Sequence, residues 1–282
     1  MWLVSLGLIL LSAGLHASWN LIVKGEEDKL VSAWLIVVAP PLVLSPLLFF
    51  TGLPASRAWP ILLQSGTIQA AYVAALVRAY EHGDLSVVYP VARGLAPLFV
   101  ALGAPMVLGE SLSPLAVAAV ALVGGGIAWL GLAARGLAAR IPALGWATAT
   151  AALIATYSIV DKVGVMRSNP VAYIISLWVC IAAILLPYVL RYRSPRQIRN
   201  AWKRRWGILL ASGLFSIGAY LLILFAMRLT QVSYIAALRE SSVIFGAFLG
   251  WRVLGEPFGR QRVSAAAVVT LGLILLALAM RG

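Results

Sequence analysis

The sequence predicts an all-α integral membrane protein of ten transmembrane helices, arranged as two inverted five-helix repeats. Three observations carry this expectation. Of the 282 residues, 62% are hydrophobic and 11% charged, with a mean hydropathy of +0.97. A soluble domain of this length could not cover so much apolar surface. Apolar runs of about 20 residues recur along the chain, each long enough to cross the hydrocarbon core as a helix. Helices satisfy their own amides in lipid, and these runs lack the alternation of barrel strands. Finally, several short motifs of the first half return in the same order in the second.

Ten apolar stretches follow in order: Leu3–Val23, Val31–Gly52, Trp59–Tyr80, Leu85–Leu108, Leu112–Ala134, Ile141–Val160, Pro170–Leu190, Gly207–Leu229, Ser233–Leu254 and Val263–Met280. The first lacks a basic leader, and His16, Trp19 and Asn20 interrupt its end, so it reads as a retained helix rather than a signal peptide. Pro40, Pro41 and Pro46 fall in the second stretch and Pro90 and Pro97 in the fourth, where they predict kinks. Connections are short except Arg191–Trp206, read as a basic loop touching anionic headgroups. Trp34, Trp59, Trp129, Trp146, Trp202 and Trp206 fall near stretch ends, as an interfacial belt requires.

Net charge is +13. The connections after stretches 1, 3, 5, 7 and 9 hold 13 lysines and arginines and the opposite side 5, which puts both termini outside the cytoplasm. The basic charge therefore points to topology and lipid rather than nucleic acid. The single cysteine, Cys180, reads as a small apolar packing residue.

Leu108-Gly109-Glu110 recurs as Leu254-Gly255-Glu256, and Arg93 recurs as Arg239, both at an offset of 146. Trp19-Asn20-x-x-x-Lys24 faces Tyr157-Ser158-x-x-x-Lys162 at an offset of 138. The expected units are residues 1–136 and 137–282. Because five is odd, the second unit enters the membrane from the opposite side. Two inverted copies can exchange conformations, which is the geometry of alternating access around a midplane site.

On these residues the chain resembles the drug/metabolite transporter superfamily and its EamA-type branch. The likeness rests on length, ten stretches and the doubled pattern Val107-Leu108-Gly109-Glu110-Ser111 and Val253-Leu254-Gly255-Glu256-Pro257. The resemblance implies a multi-pass carrier of the cell inner (plasma) membrane, often an exporter of amino acids or related metabolites, with a central cavity between the halves. It also implies cytoplasmic termini, the reverse of the charge count, so orientation stays open.

Arg93 and Arg239 lie inside apolar stretches, where a charge must face a cavity or a partner. Related by the repeat, they could clamp a carboxylate or phosphate through forked hydrogen bonds; the alternative is an internal pair with Glu240. Glu240 is also the candidate coupling residue, exchanging a proton across the membrane. Asp161 reads as a partner of Lys162. His16, Trp19 and Asn20, with Tyr157 and Ser158 on the counterpart stretch, are expected to line the cavity. Tyr89 and Tyr234 join them, with Gln64, Thr67, Tyr72 and Tyr220 as further polar candidates. Gly124-Gly125-Gly126 and Gly246-x-x-x-Gly250 read as helix-packing surfaces. Glu110 and Glu256 read as caps for the helix that follows each of them.

The expected function is secondary active transport, with export the favoured direction, of a carboxylate- or phosphate-bearing metabolite such as an amino acid. The expected partners are a small-molecule substrate, the bilayer and protons, in a monomer or homodimer. No cofactor, metal or nucleic acid is expected. A flippase for a lipid-linked solute is the alternative, and a polytopic enzyme a weaker one: there is no His-Glu-x-x-His or Gly-x-x-x-x-Gly-Lys motif. Glu81, His82 and Asp84 form the nearest polar cluster and read as a loop.

Overall fold

The structure is a computed structural model. It describes the backbone of residues 1–23, 28–83, 85–132, 141–245 and 260–280, and the side chains of residues 1–19, 28–83, 87–129, 141–245 and 264–280. Lys24, Asp84, Gly246, Gly250, Glu256, the side chain of Asn20 and the 136/137 boundary lie outside the described residues. All regular structure among those described is helical.

Helix α1 (Trp2–Val23) leads to α2 (Lys29–Leu44), which starts on Asp28, whose carboxylate accepts the Val31 amide at 3.2 Å. Pro40 and Pro41 lie inside α2, and the chain tightens at Pro46 into a 3-10 turn, Ser45–Leu47, before the short α3 (Leu48–Thr51). Helix α4 (Trp59–His82) carries a proline in its first turn, where the missing N–H costs nothing. Helix α5 (Leu85–Leu108) absorbs Pro90, Pro97 and Pro105 and stops at Gly109, whose φ of 66° only glycine adopts readily. Then come α6 (Pro114–Leu132), α7 (Ile141–Met166), α8 (Pro170–Tyr192, capped by Asn169), α9 (Pro195–Met227), α10 (Val232–Leu238) and α11 (Arg260–Ala279).

Two expectations are corrected here. The stretch read as a basic loop is helical from Pro195, because Ser194 and Gln197 form a reciprocal capping box ahead of it. That basic segment meets the apolar part of α9 at a kink, where Arg205 leaves helical geometry. Ile198, Ala201 and Trp202 hold it down on Val31, Leu35 and Ile36 of α2. The ninth apolar stretch is likewise not one continuous helix. Its first part, α10, ends at Leu238, Arg239 and Glu240 form a turn, and helix resumes over 241–245.

Seven helices among the described residues are long and apolar enough to cross a membrane, with two shorter apolar helices over Pro114–Trp129 and Ser264–Ala279. The outer face fits lipid: Phe49 is 92% exposed and Phe50 87%, which water would penalise and acyl chains would not.

Helix α1 packs on α9, α4 on α7 and α8, α2 on α8 and α9, α5 on α6 and α7, and α6 on α11. Small residues set the closest approaches. A β-carbon on Gly94 of α5 would lie 2.6 Å from the Gly124 carbonyl of α6, so Gly124 packs as expected, and one on Gly213 of α9 would lie 2.7 Å from the Ile36 carbonyl of α2.

Candidate functional site

Two buried charged side chains, Arg93 and Glu240, meet at the turn that breaks α10. Arg93, on α5, forks onto Glu240: Nη2 reaches Oε1 at 2.9 Å, and Nε donates to Oε2 at 3.2 Å. Arg93 is 7% exposed and Glu240 2%, so this pair is buried. Of the two roles left open for Arg93 in this conformation, the internal pair is the one formed.

Arg239 differs. Among the described residues no carboxylate ion-pairs with it. Its guanidinium lies 5.4 Å from the centroid of the Tyr220 ring, beside Tyr157, and it keeps part of its surface accessible. The fields of both arginines reach His16, Tyr72, Tyr89 and Tyr157. His16, Trp19, Tyr72, Tyr89 and Arg239 are thus grouped inside the bundle, yet each remains only half-buried. They form one partly accessible polar group contributed by α1, α4, α5 and the α10 turn.

Within it, Trp19 Nε1 donates to His16 Nδ1 at 3.2 Å with the rings edge to face, which orients the imidazole. Tyr72, Tyr157 and Tyr220 form an edge-to-face chain with centroids 5.8 and 6.2 Å apart. Ser158 is turned back on its own helix, donating to the Ile154 carbonyl at 2.7 Å. Tyr234 packs in the apolar core. Gln64 and Thr67 are corrected: both are exposed, on the outer face of α4. Ser65 and Gln69 face inward instead.

The residue that the sequence reading undervalued is Asp161. It does not pair with Lys162, which caps the end of α9 by donating to the carbonyls of Met227 and, at 3.0 Å, Thr230. The Asp161 carboxylate turns the other way and is completely buried. It accepts the Tyr173 hydroxyl at 2.7 Å, the Gln69 amide at 3.0 Å and the Tyr220 hydroxyl. Ser65, bonded to the same amide at 3.1 Å, stands beside it. The signal was in the spacing: Ser65, Gln69 and Tyr72 fall at i, i+4 and i+7 on α4, and Tyr157 and Asp161 at i and i+4 on α7.

Glu110 is also corrected. Ser113 caps the helix that follows it, accepting the Ala116 amide at 3.2 Å. Glu110 crosses to α10 instead and accepts the amides of Val232 at 2.6 Å and Ser233 at 3.2 Å, with the Ser233 hydroxyl at 2.8 Å. Of the enzyme-like cluster, Glu81 pairs with Arg78 at 3.0 Å and His82 bonds the Arg78 carbonyl. A recess of about 480 Å³, lined by Thr51, Arg167, Asn169 and Arg228 among others, shares no residue with the arginine group.

Residues 141–278 match the profile described as the EamA-like transporter family. The second half of the chain is therefore similar to the EamA-like transporter family. A curated relative from Sinorhizobium sp, named "Uncharacterized transporter in cobO 3'region", is 29% identical over 135 residues, which take up 47% of this chain and 94% of the relative. A solved crystal structure, described only as that of a protein, superposes with a TM-score of 0.77 over 99% of this chain and 97% of its own, at 18% identity. That likeness speaks for the fold alone. Together with its apolar helices, this similarity supports a multi-pass membrane transporter, and the deep arginine group is its candidate binding site.

Proposed function

We propose that this protein is an EamA-type, ten-helix secondary transporter of the inner (plasma) membrane that exports a small carboxylate- or phosphate-bearing metabolite, an amino acid among the candidates. The observation that carries the reading is Arg239: a cation deep in the bundle, held by an aromatic face rather than a carboxylate, with surface left to receive an anion. Charges in such positions mark substrate pathways, and broken helices are where transporters build their sites. His16, Trp19, Tyr72, Tyr89 and Tyr157 form the wall around it, with Asn20 and Tyr234 assigned to the same wall from the sequence. Glu240 acts as counter-ion of Arg93, and Arg93 becomes available to the substrate when the turn moves.

Two inverted units, 1–136 and 137–282, are supported by the packing. The contact of α1 with α9 answers that of α4 with α7, and α2 with α9 answers α4 with α8, as exchange of the first five spans with the last five requires. The curated relative, about half the length of this chain, fits a unit of that size.

The test is transport by purified protein in liposomes, with radiolabelled neutral and acidic amino acids and organic phosphates as a panel. Counterflow of at least one anionic or zwitterionic solute, abolished by Arg239→Ala in a protein that still folds, is expected. Full transport by Arg239→Ala would overturn the assignment of that residue, and failure of the whole panel would overturn the substrate class.

A further inference from the structure

The Arg93–Glu240 pair is internally neutral, and Arg239 is set against an aromatic ring. That leaves Asp161, whose charge the transport reading does not use. Its carboxylate is fully buried in a spanning helix, and no cation among the described residues pairs with it. Three neutral donors from three different helices, Gln69 of α4, Tyr173 of α8 and Tyr220 of α9, are gathered on its two oxygens. The fold makes room for this. Gly164, one turn along α7, has no side chain because the Tyr173 ring occupies that space. An acid so enclosed has no packing reason to be there, since valine occupies the position that the 138-residue offset assigns to it in the first half, Val23.

We propose that Asp161 is a proton-binding site, and that its protonation is reported to the arginine group through Tyr220. The neighbouring groups present hydrogens rather than lone pairs to the carboxylate, and they fill the space around it, which suits a proton and not a metal ion. Uptake of one proton from water converts the carboxylate to the neutral acid, and release returns that proton and restores the charge. The neutral acid carries an O–H that needs an acceptor. The Tyr220 oxygen supplies it when its own hydrogen turns away from Asp161, toward the group in which Arg239 lies against the same ring. The titratable or charged groups around this site are Tyr157 on α7 itself, Tyr173 on α8, Tyr220 on α9 and Arg239 at the end of α10, while Lys162, next to it on α7, turns away to cap α9.

Use of the proton to drive transport rests on the proposed function; the proton site does not, so the two are tested separately. For the site, the probe is the proton alone: infrared difference spectra of the purified protein in liposomes, taken from about pH 8 to about pH 5. Expected is a carboxylic C=O band on acidification that is lost in Asp161→Asn, kept in Asp161→Glu and displaced in frequency in Tyr220→Phe, which retains the acid but removes a hydrogen-bond partner. Because Tyr220→Phe and Asp161→Glu keep the carboxyl group, misfolding of Asp161→Asn would not end the test. A band unaffected by Asp161→Asn and Tyr220→Phe, a band lost in Glu240→Gln instead, no band, or one that follows sodium rather than pH would each overturn the proposal. For coupling, a pH gradient across the liposomes is expected to drive accumulation of a transported panel solute by wild type, while Asp161→Asn only exchanges it. Equal gradient-driven accumulation by both would leave the site without a coupling role. If no panel solute moves at all, the substrate reading fails while the infrared result still decides the site.

Discussion

Arg93 and Arg239 hold equivalent places in the two copies of one motif, yet their surroundings are opposite. Arg93 sits in an unbroken helix and is clamped by a buried carboxylate. Arg239 sits at the end of a seven-residue helix, against a tyrosine ring, with part of its surface open. The residue after each arginine explains much of the contrast. Gly94 follows Arg93 and lets α5 press against α6, whereas Glu240 follows Arg239 and reaches across to the other copy's arginine. Two like charges thus stand at matching positions of the repeated motif, and Glu240 neutralises one of them. Two unpaired guanidinium groups so deep in the bundle would repel each other, so a site with one satisfied and one available arginine is the lower-energy arrangement.

The largest effect that can break this comparison is loss of Arg93. Arg93→Ala would leave Glu240 buried without a partner, a change that costs about 3–5 kcal/mol. Thermal unfolding of the purified protein should show a large fall in Tm. The double change Arg93→Met with Glu240→Met should recover most of it, because an apolar pair avoids the buried charge altogether. A Tm for Arg93→Ala close to wild type would show that the pair is not closed in the protein as it exists in membranes.

Arg239→Ala should behave in the reverse way. Losing a half-exposed cation over an aromatic ring costs about 0.5–1 kcal/mol of stability. A bound anion would lose a charge-assisted hydrogen bond of about 1.5–3 kcal/mol. Stability should therefore change little while anion binding weakens strongly, read by ligand-induced thermal shift on the same samples. Equal losses in both measurements would make Arg239 a structural residue like Arg93.

This contrast could be read only in part from the sequence. Composition, apolar runs and the doubled Leu-Gly-Glu motif are one-dimensional signals, and they sufficed for an all-helical membrane transporter. The intramembrane arginines and Glu240 stood out for the same reason, since a charge in an apolar run has few explanations. Which arginine Glu240 would meet depends on how two distant helices cross, and no spacing within either helix encodes that. Asp161 was hidden by its neighbour: adjacency in sequence suggested an ion pair with Lys162, but side chains at i and i+1 of a helix point about 100° apart. Glu110 misled similarly, because its partner lies in α10, more than a hundred residues away. The segment 195–205 was misjudged by weighing charge over capping, although Ser194-Pro195-Arg196-Gln197 carries a helix-start signature.

A smaller perturbation sharpens the difference behind the two arginines. Gly164→Ala places a methyl group where the Tyr173 ring lies, and that ring is fully buried and cannot move aside without repacking α8. Overpacking of this kind costs about 1–3 kcal/mol. It should disturb the donors around Asp161 behind Arg239 and leave the Arg93–Glu240 pair alone. Combining it with Tyr173→Ala, which empties the space, should remove the steric conflict. In a double-mutant cycle on Tm, the two changes should therefore be markedly less than additive; strict additivity would place the strain elsewhere.

The smallest effect concerns why the second arginine needs help from the first half of the chain. Helix α5 is 24 residues long and holds Arg93 within many internal turns, but α10 has only seven residues before the break. A helix that short leaves most of its amides without internal partners. Glu110 supplies the missing acceptors by gripping Val232 and Ser233, and so fixes the element that ends at Arg239. Removing a cap of this kind costs about 0.5–2 kcal/mol. Glu110→Ala should therefore lower Tm modestly, and Glu110→Gln less, because one carbonyl oxygen remains to accept. Hydrogen exchange gives the sharper readout. Faster exchange confined to 232–238, with α5 unchanged, is expected, since the first arginine's helix needs no such support. Faster exchange in α6 instead would return Glu110 to the local role that its sequence position suggested.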